Sequence, residues 1–127
     1  MDVLHVARID HGVRCERNPL LVCRLAAQKM PLTVCPLSNV RLKVFSCMEE
    51  HNLKRLLERG VRVTINSDDP AYFGGYILDN YMAATRALGL STAQLVQLAR
   101  NSIEASFLSA GSKQRWQGRI DDLAVTT

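Results

Sequence analysis

At 127 residues the chain has the length of one ordinary domain, and with 47% apolar residues it can build a core, which excludes a disordered or low-complexity protein. Its net charge of +4 comes from 16 Lys and Arg scattered from Arg8 to Arg119 with no basic block, so a nucleic-acid partner is not indicated. No apolar stretch approaches the roughly 20 residues of a membrane span and the start lacks a signal-peptide layout, so a soluble, cytoplasmic protein with no membrane partner is expected.

In chain order, the run from Val3 ends in His11-Gly12, with a strand expected over Ala7 to Asp10. Asn18-Pro19 then supplies a cap and a first-turn proline, and Leu21, Val22, Leu25 and Ala26 recur at helical spacing up to about Lys29. Pro31 to Cys35 reads as a second strand closed by Pro36, with Pro36-Leu37-Ser38-Asn39 as its exit loop. Leu53, Leu56 and Leu57 share a helical face that Gly60 ends.

Val61 to Ile65 is the third strand, and it leads into Asn66-Ser67-Asp68-Asp69-Pro70. A helical pattern follows from about Gly75, with Leu78, Tyr81, Met82 and Thr85 as its apolar stripe and Gly89 as its stop. Ser91 and Gln94 have capping-box spacing ahead of Leu95, Leu98, Ala99 and Ile103, and a last amphipathic piece is expected over Lys113 to Arg119. Alternating strands and helices of this kind predict an α/β fold with a parallel sheet covered on both faces. The four cysteines form no CxxC pair, and reduced, mostly buried thiols are expected, including Cys23 and Cys35.

Each strand exit carries polar residues: His11, then Ser38 and Asn39, then Asp68 and Asp69. In a parallel sheet these exits lie on one edge, so the three loops face a shared pocket. Asp69-Pro70 also has the form of a helix cap followed by a first helical residue, and capping alone would account for that carboxylate. A histidine sharing an edge with two carboxylates is a candidate base or electrophile. His5 and His51 lack that context and read as structural or solvated.

Three segments, Arg8-Ile9-Asp10-His11-Gly12, Leu32-Thr33-Val34-Cys35-Pro36-Leu37-Ser38-Asn39 and Asn66-Ser67-Asp68-Asp69-Pro70, resemble in order and spacing the carboxyl-terminal part of the adenosine and adenine deaminase family. Its members are zinc hydrolases on a TIM-type (β/α)8 barrel, and the resemblance reaches to about Trp116. The continuation Ala71 to Tyr76 is similar to the branch that acts on the free base, with the nucleoside-specific branch as the alternative.

The resemblance implies roles for three residues. Asp68 corresponds to a zinc ligand, Asp69 to the residue that hydrogen-bonds the purine near N7, and His11 to the histidine beside the metal-bound water. Zinc would lower the pKa of that water from about 15.7 to about 7 for attack at C6 of adenine or adenosine. Gly12 would allow close backbone approach.

The family's His-x-His pair, a further histidine and a proton-donating glutamate are not in this sequence; Glu16, Glu49, Glu50, Glu58 and Glu104 stand in no matching context. A catalytic zinc takes about three or more protein ligands and a (β/α)8 barrel roughly 200 to 250 residues. The expectation is therefore that residues 1–127 are the carboxyl-terminal portion, about the last three strand-helix units, of a single deaminase domain whose remainder is supplied in cis. Alone, the chain should be poorly folded or associate, and be inactive. A truncated, non-catalytic remnant is the competing reading. The compact cytidine-type deaminases are disfavoured, since His-x-Glu with Pro-Cys-x-x-Cys is not found.

Overall fold

The computed structural model describes residues 4–125; Val3, where the opening run begins, lies outside them. Three short strands, β1 (Ile9–Asp10), β2 (Leu32–Val34) and β3 (Val63–Ile65), form a parallel sheet in the order β1-β2-β3. The register pairs Ile9 with Leu32, and Leu32 in turn with Val63. Helices α1 (Pro19–Ala27), α2 (Pro36–Arg41) and α3 (Leu53–Glu58) fall between strands. After β3 come α4 (Pro70–Phe73), α5 (Ile77–Leu88), α6 (Thr92–Ala105) and α7 (Ala110–Val125). The mixed α/β class with a parallel sheet is as expected.

The core is built on one face of this sheet, the face that the register-paired Leu32, Val34, Val63 and Ile65 share; Asp10, Thr33 and Thr64 point to the other. Leu32, Val34, Val63 and Ile65 are buried among Val22 and Leu25 of α1, Leu53 and Leu56 of α3, Ala84 of α5 and Leu98 of α6. α6 packs on β3, and α7 packs on α6. Among the described residues no helix is long and apolar enough to cross a membrane.

Several elements differ from the sequence expectation for identifiable reasons. β1 covers only Ile9–Asp10 rather than Ala7 to Asp10. Its first ladder bond runs from the Ile9 N–H to the Pro31 carbonyl (2.9 Å), and Pro31 has no N–H with which to carry the ladder further back. β3 starts two residues late because Val61 is still tied to the end of α3 by a 3.1 Å bond to the Leu56 carbonyl.

The segment Pro36 to Asn39 is not a loop but the first turn of α2. The proline that cannot extend a strand has a φ already suited to the first helical position, where its missing N–H has no partner to lose. Downstream of Asp69 a separate short helix, α4, precedes α5.

On α5 the expected stripe is only partly inward: Leu78 is 68% and Met82 44% exposed, while Asn80 and Ala84 are the buried positions. Asn80 is inward because it ties α5 to α2, accepting from the Leu37 N–H (3.0 Å) and donating to the Tyr76 carbonyl (3.0 Å). α7 is longer than the pattern from Lys113 to Arg119 implies. Polar contacts hold it to α6: Arg100 with Asp121, Lys113 to the Glu104 carbonyl (2.7 Å) and Gln117 to the Arg100 carbonyl (3.1 Å). Cys23, expected to be buried, lies on the exposed side of α1; Cys15 and Cys35 are buried and Cys47 is half-buried.

Among the described residues β1 pairs only with β2, and its free side opens on an apolar groove of about 590 Å3 lined by Ile9, Val13, Leu21, Leu25, Leu32 and Val44.

Candidate active site

The three strand exits converge as parallel topology requires. Each presents its polar residue through a local feature of the chain. His11 leaves β1 with a left-handed backbone (φ 54°), its N–H still bonded to the Thr33 carbonyl at 3.0 Å. Asp68 is also left-handed (φ 58°), one of five such non-glycine residues among those described. Backbone strain of this kind persists where the surroundings over-determine a side chain's direction.

Gly12 (φ 70°) is also constrained from within the fold. A Cβ there would stand 2.7 Å from Cδ2 of the buried Leu32, so the glycine allows β1's exit to pack on β2.

His11 Nε2 lies 3.9 Å from Asp68 Oδ2, which brings two of the three sequence-selected residues together. The same Asp68 oxygen accepts a 2.6 Å hydrogen bond from the Ser38 hydroxyl on α2. A neutral donor this close to a carboxylate forms a short, charge-assisted bond that fixes the carboxylate's orientation. Asp69 is engaged differently, since its Oδ1 accepts from the Tyr72 N–H at 3.0 Å and caps α4. Capping occupies Oδ1, and the second oxygen is left for another partner.

Cys35 joins this cluster although its sequence context suggested no more than a buried thiol. Its Sγ, His11 and Asp68 each offer a ligand atom within 4.8 Å of the others. Burial first, and then the Asp68 charge, pushes the Cys35 thiol up to about 11, so it keeps its proton and donates to the Thr33 carbonyl (3.6 Å). Nitrogen, sulfur and carboxylate oxygen together suit a borderline divalent cation such as zinc. The Cys35 thiol is turned to the Thr33 carbonyl, and Asp68 and His11 are the donors on the exposed side of the group. The group fits one side of a zinc site, in which the Asp68 carboxylate would be a ligand beside others.

Two further residues stand behind His11. Its Nδ1 is 3.3 Å from Asn39 Nδ2, and Asn39 Oδ1 is 3.1 Å from Nε2 of His51, which is 1% exposed. Reading His51 as structural had a sound basis, but its connection to His11 through Asn39 was invisible in the sequence. Glu16, by contrast, is held in a bidentate pair with Arg55 (2.8 and 3.0 Å). The Arg55 guanidinium holds that carboxyl below the usual range, and Asn52 adds a 3.1 Å bond.

The model of the adenosine deaminase family matches residues 1–123. The chain is 57% identical to an adenine deaminase of Hahella chejuensis over 121 residues, covering 95% of this chain and 36% of that protein. Among solved structures, an adenine deaminase from Arthrobacter aurescens superposes with a TM-score of 0.95 at 46% identity, over 99% of this chain and 38% of the other. An amidohydrolase from Burkholderia ambifaria with bound zinc superposes at 0.85 and 27% identity, over 98% of this chain and 36% of its own. The chain thus spans 36 to 38% of the length of these relatives.

Proposed function

Because the chain belongs to the adenosine deaminase family, we propose that it is the carboxyl-terminal portion, the last three strand-helix units, of a (β/α)8-barrel enzyme that hydrolyses adenine to hypoxanthine and ammonia. In the balanced reaction one water is consumed, its oxygen becomes the C6 carbonyl oxygen, and the exocyclic nitrogen leaves C6 as ammonia. The observation that carries the reading is the meeting of His11 and Asp68 at one sheet edge, 3.9 Å apart, with Ser38 bonded to the carboxylate. The free base is favoured over the nucleoside by the adenine deaminases at 57% and 46% identity.

In this reading Asp68 would hold a zinc ion together with histidines from the missing part of the barrel. Zinc, when bound, supplies acidity to a coordinated water, lowering its pKa from about 15.7 to about 7. Ser38 keeps the Asp68 carboxylate turned toward the site. His11 offers its Nε2 beside that carboxylate, where it can orient the attacking water or stabilise charge that develops on its oxygen. Asp69 uses the carboxylate oxygen not engaged in capping α4 to hold the purine near N7, which contributes orientation rather than bond-making. The open side of β1 and its apolar groove are where the preceding strand-helix units would pack, in cis, in a soluble enzyme of purine salvage.

The test is to join residues 1–127 to the complementary amino-terminal part of the Arthrobacter aurescens enzyme and to measure ammonia release from adenine and from adenosine. Adenine should be the better substrate, Asp68→Asn should abolish turnover, and the unjoined chain should be inactive. An assembled barrel that deaminates neither compound overturns the reading, and preference for adenosine overturns the choice of substrate.

A further inference from the structure

A short series of side chains behind His11 has an internal polarity that can be worked out from a single fixed donor. The backbone N–H of Leu53, at the start of α3, donates to His51 Nδ1 at 3.1 Å. A peptide N–H cannot accept, so Nδ1 of His51 is the bare nitrogen and the neutral ring carries its proton on Nε2. The ring is neutral at working pH, because burial, reinforced by the nearby Arg55 charge and opposed by Glu16, lowers its pKa to about 4. Phe45 packs against it with its ring tilted by 39°, 4.4 Å between centroids.

The proton on His51 Nε2 faces Asn39 Oδ1 at 3.1 Å, and this decides which way round the Asn39 amide sits. Its NH2 group is therefore turned to His11 Nδ1 at 3.3 Å. His11 Nδ1 must accept, so neutral His11 carries its proton on Nε2, the nitrogen that faces Asp68. Asn39 is 2% exposed, so water does not compete for its amide.

We propose that Asn39 and His51 are positioning residues that lock His11 in its Nε2–H tautomer, making it a hydrogen-bond donor toward the reacting oxygen rather than the base that deprotonates it. The tautomer stands on the geometry alone; its catalytic meaning rests on the deaminase reading above. The relay uses α2 and α3 to hold a ring that emerges from β1. A purely structural His51 would need only its bond to Leu53 and its contact with Phe45.

The two roles separate by nitrogen-detected NMR of the histidine rings, recorded at pH 9 with residues 1–127 labelled and joined to the rest of the barrel. His11 and His51 should both appear as Nε2–H tautomers. Asn39→Asp leaves only acceptors between the rings and should switch His11 to Nδ1–H while His51 stays unchanged. His51→Gln retains an N–H to give to Asn39 and should keep His11 as Nε2–H, whereas His51→Leu frees the amide to turn and should yield mixed tautomers.

In the assembled barrel, His51→Leu should lower kcat roughly 10- to 100-fold with KM within about twofold, and His51→Gln should recover most of the loss. A His11 ring that carries its proton on Nδ1 in the parent, or one unmoved by Asn39→Asp, overturns the proposal. If the tautomers behave as described and the assembled barrel deaminates neither adenine nor adenosine, the relay stands and the functional reading falls.

Discussion

Replacing Ser38 by Ala removes one hydroxyl from a fully buried position and leaves the helix that carries it intact. The bond lost is the 2.6 Å contact to Asp68 Oδ2. Hydrogen bonds to charged groups contribute about 1.5–3 kcal/mol, and each ~1.4 kcal/mol is a factor of ten in affinity. If Asp68 holds zinc, a carboxylate released from Ser38 should bind it roughly 10- to 100-fold more weakly, the range seen when an outer hydrogen-bond partner of a metal ligand is removed. The assay is chelator-competition titration of zinc in the assembled barrel, with thermal unfolding of the metal-free protein measured in parallel. Ser38→Thr retains the hydroxyl and should recover affinity, although its extra methyl must fit a packed site. A Ser38→Ala protein with zinc affinity within twofold of the parent and an unchanged unfolding midpoint would refute the link between this hydroxyl and the metal site.

The neutral buried His51 should contribute a pH-dependent share of the stability. Above about pH 6.5 the ring is uncharged both folded and unfolded; between 6.5 and about 4 only the unfolded chain takes up the proton, so stability falls with pH by ~1.4 kcal/mol per unit. Urea midpoints should show a loss of about 2 kcal/mol between pH 7 and pH 5 that His51→Gln removes, and an unchanged slope in that variant would refute the assignment. Gly12→Ala should destabilise by about 2–3 kcal/mol, since it combines a left-handed residue with a clash against Leu32, and equal midpoints for variant and parent would contradict this. Without the rest of the barrel, the open side of β1 and the apolar groove beside it should drive association, so gel filtration should place the chain above its 14.2 kDa monomer mass; a monomer peak would count against an unfilled barrel edge.

What could be read from the sequence follows from which forces act locally. Short apolar strands with polar exits announce a parallel sheet with one functional edge, because the sheet interior admits little but apolar side chains and the exits are where polar ones can stand; His11 and Asp68 were legible for that reason. Ser91 and Gln94 were legible because a capping box closes within four residues, and the structure has both of its bonds. Pro36 was misplaced because one property, a missing N–H, both ends a strand and begins a helix, and only the neighbouring chain decides between them. Asn80 was hidden for a related reason, since its inward position is set by the Leu37 N–H on a different helix. His51 shows the limit most clearly: its polarity is set by the next helix's backbone and its relevance by Asn39, two contacts that do not exist until α2 and α3 have packed on the sheet. Asp69 is the opposite case, in which the local rule was correct and still incomplete. The cap it forms on α4 constrains the loop that begins at Asp68, so the residue that ends the strained turn also fixes the direction in which that turn presents its first carboxylate.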